Sequence, residues 1–102
     1  MMRHRTALAL TLLAGLTAPV LAQTPAPIGV RECDEFLTAY ETCVNTNYPA
    51  SARAMMISTI QQMRDAYRQS AQSPEGRAAL APQCTQMRQA TAQSMTQYNC
   101  RF

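Results

Sequence analysis

The sequence predicts an all-α fold, a small up-down-up three-helix bundle stapled by two disulfides. Three observations predict it. Apolar residues recur at helical spacing in three successive segments. Four cysteines lie in or at the ends of the first and last of them. No segment shows the alternation of a half-buried strand.

The N-terminal segment reads as an export signal. Arg3, His4 and Arg5 supply positive charge, and Thr6 to Thr17 is an apolar run. Pro19 follows, and Val20-Leu21-Ala22 places suitable residues before a cleavage between Ala22 and Gln23. The run falls well short of the roughly 20 residues that span a bilayer, so residues 1–22 predict a cleaved signal peptide rather than a stable membrane anchor. Neither a twin-arginine pair nor a lipoprotein cysteine accompanies it.

The processed chain then starts at Gln23. Its seven arginines (31, 53, 64, 68, 77, 88, 101) face six acids, a net charge of +1. Much of the whole chain's +3 therefore belongs to the signal. Nucleic-acid binding needs a concentrated basic patch, which this balance does not supply. Residues 23–30 carry Pro25 and Pro27 without periodicity and read as a flexible leader.

The domain proper is 31–102. In its first helix Cys33, Phe36, Leu37, Tyr40, Cys43 and Val44 share one face, with Glu32, Asp34, Glu35 and Glu41 opposite. The early acids complement the helix dipole, and Asn45, Asn47 and Pro49 end the helix. The second helix begins at Pro49 and runs to about Ala71. Its stripe is Ala52, Met56, Ile60, Met63 and Tyr67, with Arg53, Arg64, Asp65 and Arg68 off it. Ser73-Pro74-Glu75 has the chemistry of a third helix start. Pro82 predicts a break after Leu80, so a short turn over 74–80 precedes a main helix from Pro82 to about Tyr98. Its stripe is Leu80, Cys84, Met87, Thr91, Met95 and Tyr98, while Gln86, Gln89, Gln93 and Gln97 face water.

Four cysteines in a short exported chain imply a disulfide frame, which a core this small needs. Ten helical residues span about 15 Å, beyond the reach of a disulfide, so Cys33 cannot pair with Cys43. Parallel first and third helices favour Cys33–Cys84 with Cys43–Cys100. The alternative, Cys33–Cys100 with Cys43–Cys84, requires those helices to be antiparallel. On a continuous helix Cys100 would sit about 160° round from Cys84, so the third helix should end near Asn99.

Residues 23–102 contain no His, Lys or Trp. Ser-His-Asp and Cys-His catalysis, Lys Schiff bases and His-based metal sites are thereby excluded, and no C-x-x-C pair appears. The acids Glu32, Asp34, Glu35 and Glu41 read more simply as a solvated helix face than as a catalytic pair. Met55, Met56, Met63, Met87 and Met95 raise Cu(I) as a thioether ligand problem, with Met55 and Met56 the candidates. Four of the five fall on core stripes, where methionine fills irregular gaps, and the reading assigns no cofactor.

The pattern Cys33-x6-Tyr40-x2-Cys43, Pro49, Gln62-Met63-Arg64-x2-Tyr67-Arg68, Cys84 and Cys100 resembles a group of small, exported four-cysteine helical bacterial proteins. The resemblance implies a periplasmic or secreted protein of a Gram-negative bacterium and implies no activity. The spacing of Cys33 and Cys43 also looks like that of cysteine-stapled helical hairpins of the mitochondrial intermembrane space. Cys84 and Cys100 depart from it, which marks convergent stapling. These readings converge on a non-enzymatic exported protein that binds another exported protein or serves as an envelope-stress factor. The alternative is a Cu(I)-binding or thiol-redox protein using Met and Cys. The sequence specifies no oligomeric state.

Overall fold

The computed structural model describes residues 26–102 and Gly15. The proposed signal, with its Ala22–Gln23 junction, and residues 23–25 of the leader otherwise lie outside the described residues. Three helices follow one another: α1 Arg31–Asn47, α2 Ala50–Ser70 and α3 Pro74–Ser94. A 3₁₀ turn, Thr96–Tyr98, follows α3. Among the described residues there is no strand.

α1 is the central element, because its apolar face meets both other helices. Cys33, Phe36, Leu37, Tyr40, Cys43 and Val44 are all buried, the whole stripe that the spacing predicts. On α2 the buried positions are Ile60, Arg64 and Tyr67. Ala52, Met56 and Met63 pack half-buried against the core edge. Ile60 follows Met56 by four residues and precedes Arg64 by four, so all three share the inward side.

The leader's end differs from its reading as flexible chain. Ile28 and Val30 are buried, 5 % and 6 % exposed. The Asp34 carboxylate accepts from the Ile28 N–H at 2.8 Å and the Gly29 N–H at 3.1 Å. An acid on the first turn of α1 thus reaches back and ties residues 28–30 to the helix they enter. Gly29 turns the chain there at φ 87°, a left-handed conformation that costs glycine little. The Arg68 guanidinium adds a bond to the Ala26 carbonyl at 2.9 Å.

Two expectations about α3 are corrected. The helix does not break before Pro82 but runs from Pro74 to Ser94 with Pro82 inside it. Pro82 and Ala78, whose carbonyl loses its helical donor, are both exposed, so the missing bond falls on the solvent side of the helix rather than in the core. Cys84 therefore sits mid-helix rather than near a helix start. Met87, placed on the core stripe by spacing, is exposed at 38 %. The neighbouring Arg88 is the half-buried residue. Gln86, Gln89, Gln93 and Gln97 are exposed as read.

The turn between α2 and α3 is tight. The Ser73 hydroxyl accepts from the Gly76 N–H at 3.0 Å, and Pro74 opens the helix. A Cβ on Gly76 would overlap the Ser70 carbonyl oxygen. Gly76→Ala gains up to ~1 kcal/mol of helix propensity but must push the turn apart. The expected net result is a loss of about 1–3 kcal/mol, read as a lower urea midpoint. A gain in stability would show that the turn yields at little cost.

The structure pairs Cys33 with Cys84 and Cys43 with Cys100, at Cα–Cα distances of 5.0 and 5.7 Å. α1 and α3 are therefore parallel, as the favoured pairing requires. Cys100 turns inward in two steps: α3 gives way to the 3₁₀ turn, and Asn99 adopts φ 59°, a left-handed conformation tolerated by Asn. The two bonds fasten the two ends of α1, one to the middle of α3 and the other to the segment that follows α3.

Candidate functional site

The ionisable side chains are largely engaged in building the scaffold. The Arg64 guanidinium, only 8 % exposed, donates through both Nη atoms to Oε2 of Glu41 at 3.2 Å. Glu35 pairs with Arg31 at 3.0 Å on its own helix and with Arg88 of α3 at 3.7 Å. Arg53 donates to the Tyr48 carbonyl just beyond α1 at 3.0 Å. Arg77 donates to the Ala71 carbonyl just beyond α2 at 3.2 Å. Arginine's fork suits such work, since it satisfies carbonyls that helix ends leave without donors.

The acids Glu32, Asp34, Glu35 and Glu41 are thus divided among separate tasks. Asp34 ties down the leader's end, Glu35 and Glu41 make ion pairs, and Glu32 is exposed. Asp34 borders one open groove with Glu41 and another with Glu35, and in both the carboxylates are already engaged by backbone N–H groups or arginines. Among the described residues, no group of three or more His, Cys, Asp or Glu side chains is arranged to hold a metal. Met55 projects into solvent at 74 % exposure, whereas Met56 leans on the core. Adjacent helical residues diverge by about 100°, so the two thioethers do not converge on one ion from the helix alone.

Aromatic packing fixes the C-terminal end. Phe102 lies against Phe36 and Tyr40, with ring centroids 6.3 and 6.1 Å apart. Tyr48 and Tyr98 stack at 4.2 Å with planes 28° apart, joining the end of α1 to the 3₁₀ turn. Burial holds the phenols of Tyr40, Tyr48 and Tyr67 above the ordinary tyrosine value. At Tyr48 the neighbouring Tyr40 and Tyr98 phenols add to the effect of burial.

A raised folded-state pKa means that the neutral phenol favours the fold. That contribution is complete below the unfolded value of about 10 and is lost as pH climbs above it toward the raised values. Urea midpoints should therefore fall steeply above pH ~10, and less steeply in Tyr40→Phe and Tyr67→Phe. Identical alkaline slopes in wild type and both variants would contradict this.

The grooved surface of the domain is the outer side of α1. Thr38, Thr42 and Thr46 form a ridge opposite the buried stripe. The Thr42 and Thr46 hydroxyls donate back to the carbonyls of Thr38 and Thr42, at 2.9 and 2.7 Å. Three shallow, open grooves of ≈ 430 to ≈ 490 Å³ border this ridge. One lies against Arg88 of α3, one against Pro27 and Arg64, and one against Asn99–Arg101 beside the Cys43–Cys100 bond. Spacing placed these residues outside the core but gave no hint of the grooves, which depend on how the leader and the C-terminal residues fold over α1.

The disulfides mark an oxidising, non-cytoplasmic environment. Among the described residues no helix is long and apolar enough to cross a membrane. Comparisons with protein-family models, curated proteins and solved structures return no match to the chain.

Proposed function

We propose that the protein is a non-enzymatic binding module, exported to the periplasm or secreted by a bacterium, that docks another exported protein through the outer side of α1. The observation that carries this reading is the threonine ridge with grooves along it, mounted on the one helix that both disulfides clamp. A clamped helix loses little freedom on docking, so less of the contact energy is spent on ordering it. The hydroxyls of Thr42 and Thr46 are already bonded to their own helix, so the ridge offers methyl and backbone surface with little desolvation cost. A role in envelope stress would follow from such a partner.

A photo-crosslinking residue at Thr42, compared in producing cells with the same residue at Gln89 on the exposed side of α3, tests the reading. A discrete adduct from Thr42 alone supports it. Adducts from both positions or from neither remove the α1 ridge as the docking side. A Cu(I)-binding or thiol-redox role is the second reading, and the exposure of Met55 is what favours its metal form. All four cysteines are paired, so its thiol form requires a bond to open first. Unchanged Cu(I) affinity after Met55→Leu with Met56→Leu would end its metal form.

A further inference from the structure

We propose that Cys43–Cys100 is a site of thiol–disulfide exchange with a dithiol reductant, that its opening unlatches residues 95–102, and that Cys33–Cys84 is a permanent staple. This goes beyond the docking reading and does not depend on it. The two bonds sit in different surroundings. Cys33 and Cys84 are wholly enclosed, each 0 % exposed, between α1 and the middle of α3. Cys43 and Cys100 are 8 % and 4 % exposed and form part of the wall of an open groove of ≈ 470 Å³. Reaching the first bond requires α1 and α3 to separate. Reaching the second requires only that the short segment after α3 shift.

That segment is held locally. The Asn47 side-chain amide donates to the Tyr98 and Asn99 carbonyls at 3.0 and 3.3 Å, and lies 3.6 Å from the Cys43 sulfur. Tyr98 stacks on Tyr48, and Phe102 rests on Phe36 and Tyr40. Arg101, exposed beside Cys100 and lining the same groove, draws an approaching thiolate and favours the thiolate form of a released Cys100.

The exchange is balanced as follows. One thiolate of the reductant attacks the Cys100 sulfur. The Cys43–Cys100 bond breaks, and its electron pair leaves on the Cys43 sulfur, where the Asn47 amide can donate. The second thiol of the reductant, after losing its proton to water, displaces Cys100 from the mixed disulfide. The reductant is oxidised to its own disulfide, and Cys43 and Cys100 are reduced and take up two protons. With the bond open, the segment is retained by the Asn47 contacts, the tyrosine stack, the packing of Met95 and Phe102, and the bonds that Met95 N–H and the Thr96 hydroxyl donate to the Thr91 and Gln93 carbonyls of α3.

The oxidised protein, treated with dithiothreitol in native buffer and quenched with iodoacetamide, provides the test. Trypsin then separates the Cys84 label (residues 78–88) from the Cys100 label (residues 89–101). Local opening precedes global opening, so the Cys100 peptide should be alkylated faster by about tenfold or more. Equal rates, faster labelling of Cys84, or no labelling of either without denaturant would overturn the proposal. In the partly reduced protein, hydrogen exchange at Tyr98 to Phe102 should rise while that at Cys33 to Tyr40 stays unchanged. Unchanged exchange at Tyr98 to Phe102 would overturn the latch.

Discussion

Replacing Cys33 and Cys84 together with alanine is expected to lower stability by about 4 kcal/mol. The bond closes 51 residues by itself, but the relevant loop is shorter. With Cys43–Cys100 intact, the circuit runs from 33 to 43, across that bond, and from 100 back to 84. A loop of some 26 residues corresponds to roughly 3.5 kcal/mol of unfolded-state entropy. Both sulfurs also lie in fully enclosed space, so their removal leaves a small void beside Leu37 and Leu80 in the same core. Equilibrium unfolding in guanidinium, without reductant, checks the figure. A loss under ~1 kcal/mol would mean that packing alone fixes α1 against α3 and that the bond restrains little.

The second large effect belongs to Glu41. Glu41→Ala leaves the Arg64 guanidinium, 8 % exposed, without its charge partner. Removing one member of a fully buried pair costs about 3–5 kcal/mol, and Glu41 is itself 28 % exposed, so about 2 kcal/mol is expected here. Arg64→Met in the Glu41→Ala background should recover most of that loss, because a similar apolar volume no longer carries an unpaired charge. If Glu41→Ala alone is neutral in urea titration, Arg64 reaches water by moving its head group outward and the pair contributes little.

These residues also show what spacing could and could not convey. The α1 stripe was fully legible because every member is apolar and both neighbouring helices pack on it. Arg64 was not, since its charge argued for the outside. Its position four residues after Ile60 and three before Tyr67 was the available signal, and Glu41 on α1 was the partner to seek. Ile28 and Val30 were missed because alternation over so short a stretch beside Pro27 and Gly29 carries no helical period. Their burial follows from Asp34, whose role emerges only once the chain has turned back. Pro82 was misread because proline's penalty depends on which side of the helix it faces, a tertiary fact. Met87 was misplaced because α3 turns the side of Leu80, Cys84 and Arg88 toward α1, where Arg88 meets Glu35, and leaves Met87 outside. The grooves beside Thr38 and Thr42 depend on where the leader and the C-terminal residues come to rest, which no local pattern encodes.

The overlapping of the two disulfides has a mechanical consequence. Cys33 is bonded beyond Cys43, and Cys100 beyond Cys84, so the four cysteines join α1 and α3 into one covalent ring. A single peptide-bond scission anywhere between residues 33 and 100 leaves one connected molecule. Under tension applied at residues 26 and 102, the shortest path runs through 26–43, across to Cys100 and out. The taut span is then about 70 Å, against roughly 270 Å for the same residues without the bonds. α2 lies off that path, so the protein can be stretched to its covalent limit while its middle helix bears no pull.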